Sequence, residues 1–252
     1  MPTEYESLEI YESSIHLYGL NIANWSREIF TAWHEGDITG VSCTCGIWEN
    51  FRGSIANVVQ WKKSFEEHSD LIIQAHNARD IRRAKETGKT AVLLSWQNTA
   101  GIEDNLDYLR VFRDLGLRDG GLTGFGRQVV DELAKLGIVC DLSHVGPATH
   151  VLPGGLKAHP RNKSDELIWL LGAKGGFIGL SQFGPHMERG NESKIDDYVA
   201  ALDYVIGLIG ENLVGVGSDA SEGHARPSEF MAWCNMDNGY ARKLTPWGAR
   251  RL

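Results

Sequence analysis

Short apolar runs alternate along the chain with longer segments whose apolar residues recur every three or four positions. Runs of the first kind fall at residues 38–45, 71–75, 91–96, 138–142, 176–181 and 213–217. Several are apolar throughout, the mark of a strand covered on both faces, and each is shorter than an ordinary helix. Segments with helical spacing fall at 55–67, 78–87, 105–115, 126–136, 164–173 and 196–209. In the first of these, Ile55, Val58, Val59 and Trp61 are expected mostly on one face. Gly88 and Gly116 stand just past two segments, where a helix commonly closes on a residue with positive φ. Ser164 is placed to cap another, with Glu166 in its first turn.

Strands alternating with helices predict parallel pairing through right-handed crossovers. The expected architecture is therefore α/β, a (β/α)8 TIM-like barrel forming a single domain over residues 1–252, with some of its segments incomplete. An open doubly wound sheet is the alternative. Its dinucleotide-binding version has no support, because no G-x-G-x-x-G follows an early strand.

Composition narrows the function classes. Hydrophobic residues make up 42% and charged residues 23%, the balance of a globular protein, and the 29 glycines suit many tight turns. A net charge of -8 argues against general nucleic-acid binding, which needs a surface that neutralises phosphates. The basic cluster Arg82, Arg83 and Lys85 lies on a helical pattern and reads as a solvated face. No apolar stretch is long enough to span a membrane as a helix, and the acidic start lacks a basic-then-apolar leader. Four cysteines in 252 residues do not make a disulfide framework, so a reducing, cytoplasmic location is expected. Cys43 and Cys45 form a lone C-x-C, a weak zinc signal, while Cys140 and Cys234 read as small core residues.

The chemistry gathers where strands end. His76 and Asn77 follow one run, Gln97 and Asn98 another, Ser143 and His144 a third, and Ser218 and Asp219 the last. In a barrel these ends form one rim, where such folds keep their sites. Any one of them reads equally well as a helix cap, but imidazole and carboxylate at a common rim suit a metal.

Asp141-Leu142-Ser143-His144, His150, Arg161-Asn162 and Gly215-Val216-Gly217-Ser218-Asp219 together resemble the membrane (renal) dipeptidase family of zinc peptidases. Asp141-Leu142-Ser143-His144 is similar to the family's D-[LI]-[SA]-H segment, and His150 resembles its second ligand histidine. Arg161-Asn162 matches the R-N pair, and Gly215-Val216-Gly217-Ser218-Asp219 the late G-x-G-x-D segment. Trp48-Glu49 and Trp96-Gln97-Asn98-Thr99 also look like family landmarks. The resemblance implies a metal-dependent-hydrolase barrel that cleaves the peptide bond of dipeptides. By it, His144 and His150 hold zinc, Arg161 and Asn162 bind the substrate, and Asp219 is the catalytic acid or base. The guanidinium fork of Arg161 suits a substrate carboxylate. A small-molecule dipeptide is the expected partner, with no nucleic acid and no membrane; a homodimer is left open.

This sequence also departs from the family pattern. Where the family opens with D-G-H-x-D, Tyr18-Gly19-Leu20-Asn21-Ile22 stands, and neither Leu20 nor Ile22 can bind a metal. One zinc ion is therefore expected rather than two. The family carries longer segments at two joins, between Arg118 and Asp119 and between Thr149 and His150. Either the chain is shortened there or segments that belong there are left out. These departures keep two other readings open: a catalytically silent barrel that binds a small ligand or partner, and an amidohydrolase-like barrel acting on another amide.

Overall fold

In the computed structural model the described residues are 4–23, 25–47, 49–97, 99–120, 126–140, 152–159, 162–182 and 186–217. They form eight strands: β1 (Leu17–Asn21), β2 (Gly40–Thr44), β3 (Ile72–Gln74), β4 (Thr90–Trp96), β5 (Leu117–Gly120), β6 (Val139–Cys140), β7 (Ile178–Ser181) and β8 (Val214–Gly217). The helices among these residues are α1 (Glu4–Ser13), α2 (Arg27–Glu35), α3 (Phe51–Glu67), α4 (Ala78–Thr87), α5 (Tyr108–Leu115), α6 (Gly126–Leu136), α7 (Asp165–Ala173) and α8 (Ile195–Ile209). Every strand pair among them is parallel, as the alternation predicts. The protein is thus α/β with parallel sheets.

β4 organises the larger sheet. One of its edges pairs with β2, from Gly40↔Ala91 to Thr44↔Ser95. The other edge is divided: β3 takes its first half, up to Gln74↔Val92, and β5 its second, up to Trp96↔Gly120. The chain advances across the sheet from β1 to β2 and on to β3, then steps back to β4. A backward step with a right-handed crossover places its helix on the opposite face. That is where α4 lies, with Ile81 and Ala84 packed against Ala91 and Leu93. The alternate β4 positions, Val92, Leu94 and Trp96, face the main core. There they meet Phe30 and Trp33 of α2, Val58 and Trp61 of α3, Phe112 of α5 and Leu133 of α6.

A second core joins β7 and β8 to α7 and α8 through Ile168, Ile178, Leu180, Tyr198 and Val205. The two sheets meet at β1 and β8, where a Cβ on Gly19 would stand 3.4 Å from the Val216 carbonyl oxygen. The sheet does not close into a ring among the described residues, which break between β6 and residue 152.

Most predicted elements stand close to their expected places, and α4 and α6 match to the residue. Gly88 and Gly116 close α4 and α5 with φ of 62° and 112°, and the Ser164 hydroxyl accepts from the Leu167 N–H. Three expectations need correction. The pattern did not show β1, α2 or β5, because β1 carries Tyr18, Gly19 and Asn21 and β5 is the polar run Leu117-Arg118-Asp119-Gly120. Val59 is 48% exposed, since it lies one position off the Ile55–Val58–Trp61 face. Lys85 is not simply solvated: its ammonium meets Asp37 at 2.6 Å and ties α4 to the turn before β2. The Arg118–Asp119 join lies inside β5 as continuous strand, and the Thr149–His150 join lies outside the described residues.

Candidate functional site at the strand ends

Register decides which strand ends share a level. Asn21 pairs with Cys43 and Thr44 with Ser95, so β1, β2 and β4 finish side by side. Asn21, Thr44 and Ser95 are all buried there. The Thr44 and Ser95 hydroxyl oxygens have no hydrogen-bond partner among the described residues. Buried polar groups are normally satisfied, so such a pair at strand ends marks a place where water or a ligand is expected. The Ser95 carbonyl accepts from both the Cys45 N–H (2.8 Å) and the Cys45 thiol (3.2 Å), and the Gln97 N–H donates to Gly46 at 3.0 Å. These bonds hold the loops after β2 and β4 together.

His76 and Asn77 do not belong to this level. Because β3 runs only beside the first half of β4, its end lies below the rim. Asn77 caps α4 instead, with its side chain accepting from Arg79 while Asp80 accepts from the His76 and Asn77 N–H groups. Their role is to start a helix.

Of the residues singled out for chemistry, His144, His150, Arg161 and Asp219 lie outside the described residues, as do Asn98, Ser143 and Ser218. Asn162 is described: its amide donates to the Lys157 and His186 carbonyls at 3.0 Å each. It fastens the 152–159 loop to the segment after β7, where the His159 and His186 rings meet at a tilt of 34° with centroids 4.2 Å apart. Leu20 is the last residue but one of β1 and Ile22 lies just past its end, and Ile22 is buried. No group of three or more potential metal-binding side chains occurs among the described residues. No helix among them is long and apolar enough to cross a membrane.

Beside the ends of β1 and β2 lies a cavity of about 300 Å³. Ile22, Trp25, Thr44, Glu49 and Trp61 contribute to its walls. The Trp25 and Trp61 rings lie 4.8 Å apart at 54°. Glu49 is positioned by the Ile47 N–H, which donates to its Oε2 at 2.7 Å, and the Asn57 amide fixes the same loop through the Cys45 carbonyl at 3.0 Å. Burial pushes the Cys45 thiol up to about 12, and the Glu49 charge adds to the shift. Cys43 and Cys45 are both in the core, so the C-x-C pair packs as small apolar residues. Sequence reasoning missed Trp25 as a cavity wall, because the strand that positions it, β1, left no apolar pattern to find.

Parallel strands in register, with Asn21, Thr44 and Ser95 buried at neighbouring C-terminal ends, define a parallel α/β protein. The comparisons with known proteins agree and go further. The family model for membrane dipeptidases (peptidase family M19) matches residues 118–235. A crystal structure of an amidohydrolase from Pseudomonas aeruginosa superposes with a TM-score of 0.86 at 38% identity, covering 94% of this chain and 83% of that one. The dipeptidase tcpJ of Claviceps purpurea is 25% identical over 209 residues, 68% of this chain and 49% of its own length. The dipeptidase aclJ of Aspergillus oryzae is 24% identical over 191 residues, 60% of this chain and 45% of its own length. The chain spans about half the length of these curated relatives. Its residues 118–235 are thus membrane dipeptidase family sequence.

Proposed function

We propose that this chain is a metal-dependent dipeptidase that hydrolyses the peptide bond of dipeptides. One observation carries the reading: the family match over 118–235 contains His144, His150, Arg161, Asn162 and Asp219 together. The donor set suits zinc, since two imidazoles are ordinary ligands for that ion, and the aliphatic Leu20 and Ile22 argue for one ion rather than two. His144 and His150 would hold the ion, which would supply Lewis acidity at the scissile carbonyl and activate a water. Arg161 binds the substrate carboxylate as a two-pronged donor, Asn162, next to it in sequence, shares in substrate binding, and Asp219 handles the proton.

The same reading includes the architecture. A (β/α)8 TIM-like barrel forming a single domain over residues 1–252 is supported by the parallel strands and by the approach of β1 to β8.

The test is steady-state turnover of a dipeptide panel by the zinc-supplemented protein and by His144→Ala and Asp219→Ala. The proposal expects each substitution to lower kcat by on the order of a hundredfold or more, the usual scale for removing a ligand or proton carrier. Full activity in both variants overturns it. A wild-type protein that binds zinc and turns over no dipeptide points instead to the silent relative.

A further inference from the structure

Helix α1 has no buried face. Every side chain from Tyr5 to Ser13 is exposed, with Tyr5 at 74% and Leu8 at 55%. Tyr11 anchors its last turn: the hydroxyl donates to the Gly36 carbonyl at 2.8 Å, and the ring lies 4.0 Å from that of His16. A helix of 10 residues is marginal in water unless packing covers one of its faces. Tyr5, Leu8, Glu9 and Glu12 follow helical spacing and share such a face, which sets apolar surface beside two carboxylates.

The turn that holds α1 also holds a helix of opposite charge. Asp37, next to Gly36, meets the Lys85 ammonium of α4 at 2.6 Å. α4 is likewise 10 residues long, and Arg79, Arg82 and Arg83 share its outer face, all exposed. The side chains of Glu9, Glu12 and these three arginines form no ion pair among the described residues.

We propose that α1 of one chain packs on α4 of a second copy, with the reciprocal contact made across a two-fold axis. An isologous interface needs one patch that carries both complementary halves, and α1 and α4 beside the Gly36–Asp37 turn supply them. Glu9 and Glu12 then meet guanidinium groups, which also stack on aromatic rings such as that of Tyr5. Pairing α1 with a second α1 would set glutamates against glutamates, which disfavours that arrangement. The turn precedes β2 at the foot of the sheet, away from the rim, so the contact does not rest on the dipeptidase reading.

Sedimentation equilibrium of the full chain tests this. A reversible dimer with a micromolar Kd is expected, the scale of a small interface. Glu9→Arg with Glu12→Arg makes both helices basic, and Arg82→Glu with Arg83→Glu makes both acidic. Each double variant alone is expected to dimerise at least about tenfold more weakly, because like charges then face each other. Mixed one to one, the two variants set each basic helix against an acidic one, and a heterodimer is expected to form. All four positions are exposed, circular dichroism checks that the variants fold, and the measurement on the unaltered chain stands without them. A chain that stays monomeric across the micromolar range, a dimer indifferent to both reversals, or a mixture that stays monomeric overturns the proposal.

Discussion

Trp96 shows how the environment of one side chain constrains its neighbours. It is 2% exposed, packs edge-on against Phe112 at 4.3 Å, and leaves no space over its ring. A Cβ added at Gly46 or Gly101 would come within 2.8 Å of indole atoms. Both glycines are therefore required by close approach. Gly46→Ala and Gly101→Ala are each expected to destabilise the protein by about 1–3 kcal/mol, the usual cost of overpacking, read as a fall in the urea midpoint. Cys43 and Cys45 are expected to be inert to a thiol reagent in the native protein and to react once it is unfolded in urea. Rapid labelling of the native Cys45 would contradict the assigned burial. At this scale the sequence was legible where a residue type has one common role, as with Gly88, Gly116 and Ser164. It was not legible for Thr44 and Ser95, whose placement at one level depends on strand register.

Helix starts are where individual elements can be tested. Asn77 and Asp80 form a capping box at α4, so Asn77→Ala should cost about 1 kcal/mol, measured by denaturation, with little effect on the chemistry of the rim. At α8 the Arg189 guanidinium donates to both Asp197 oxygens at 2.9 Å each, and the Lys194 N–H donates to one of them at 2.6 Å. These bonds, the guanidinium first, hold the Asp197 carboxyl below the usual carboxylate range. A carboxyl whose folded pKa is depressed contributes stability above its unfolded value, about 4, and loses it as the pH falls through the folded value. The stability difference between the unaltered protein and Asp197→Asn should therefore be present at neutral pH and vanish in acid. A difference independent of pH would contradict this assignment. Element existence was legible because helical spacing is strong in α4, α5 and α6. β5 was not, because Arg118, Asp119 and Gly120 lack a strand's apolar signature and extend only through pairing with β4 and β6.

For the whole molecule, the parallel α/β class followed from alternation alone, but strand order did not. Nothing in the run at 71–75 says that β3 occupies only the first half of an edge and sends α4 to the other face. That is why His76 and Asn77 were expected on the rim and lie below it. The family motifs pointed to His144, His150, Arg161 and Asp219, and the matched stretch includes all four. The central claim is metal-dependent hydrolysis by this chain. The most direct measurement is dipeptide turnover alongside the zinc content of the purified protein, before and after chelation and zinc return. The account predicts about one zinc per chain, turnover lost with the metal and regained with it. Turnover that survives complete removal of metal, or a zinc-loaded chain that cleaves no dipeptide, would contradict it.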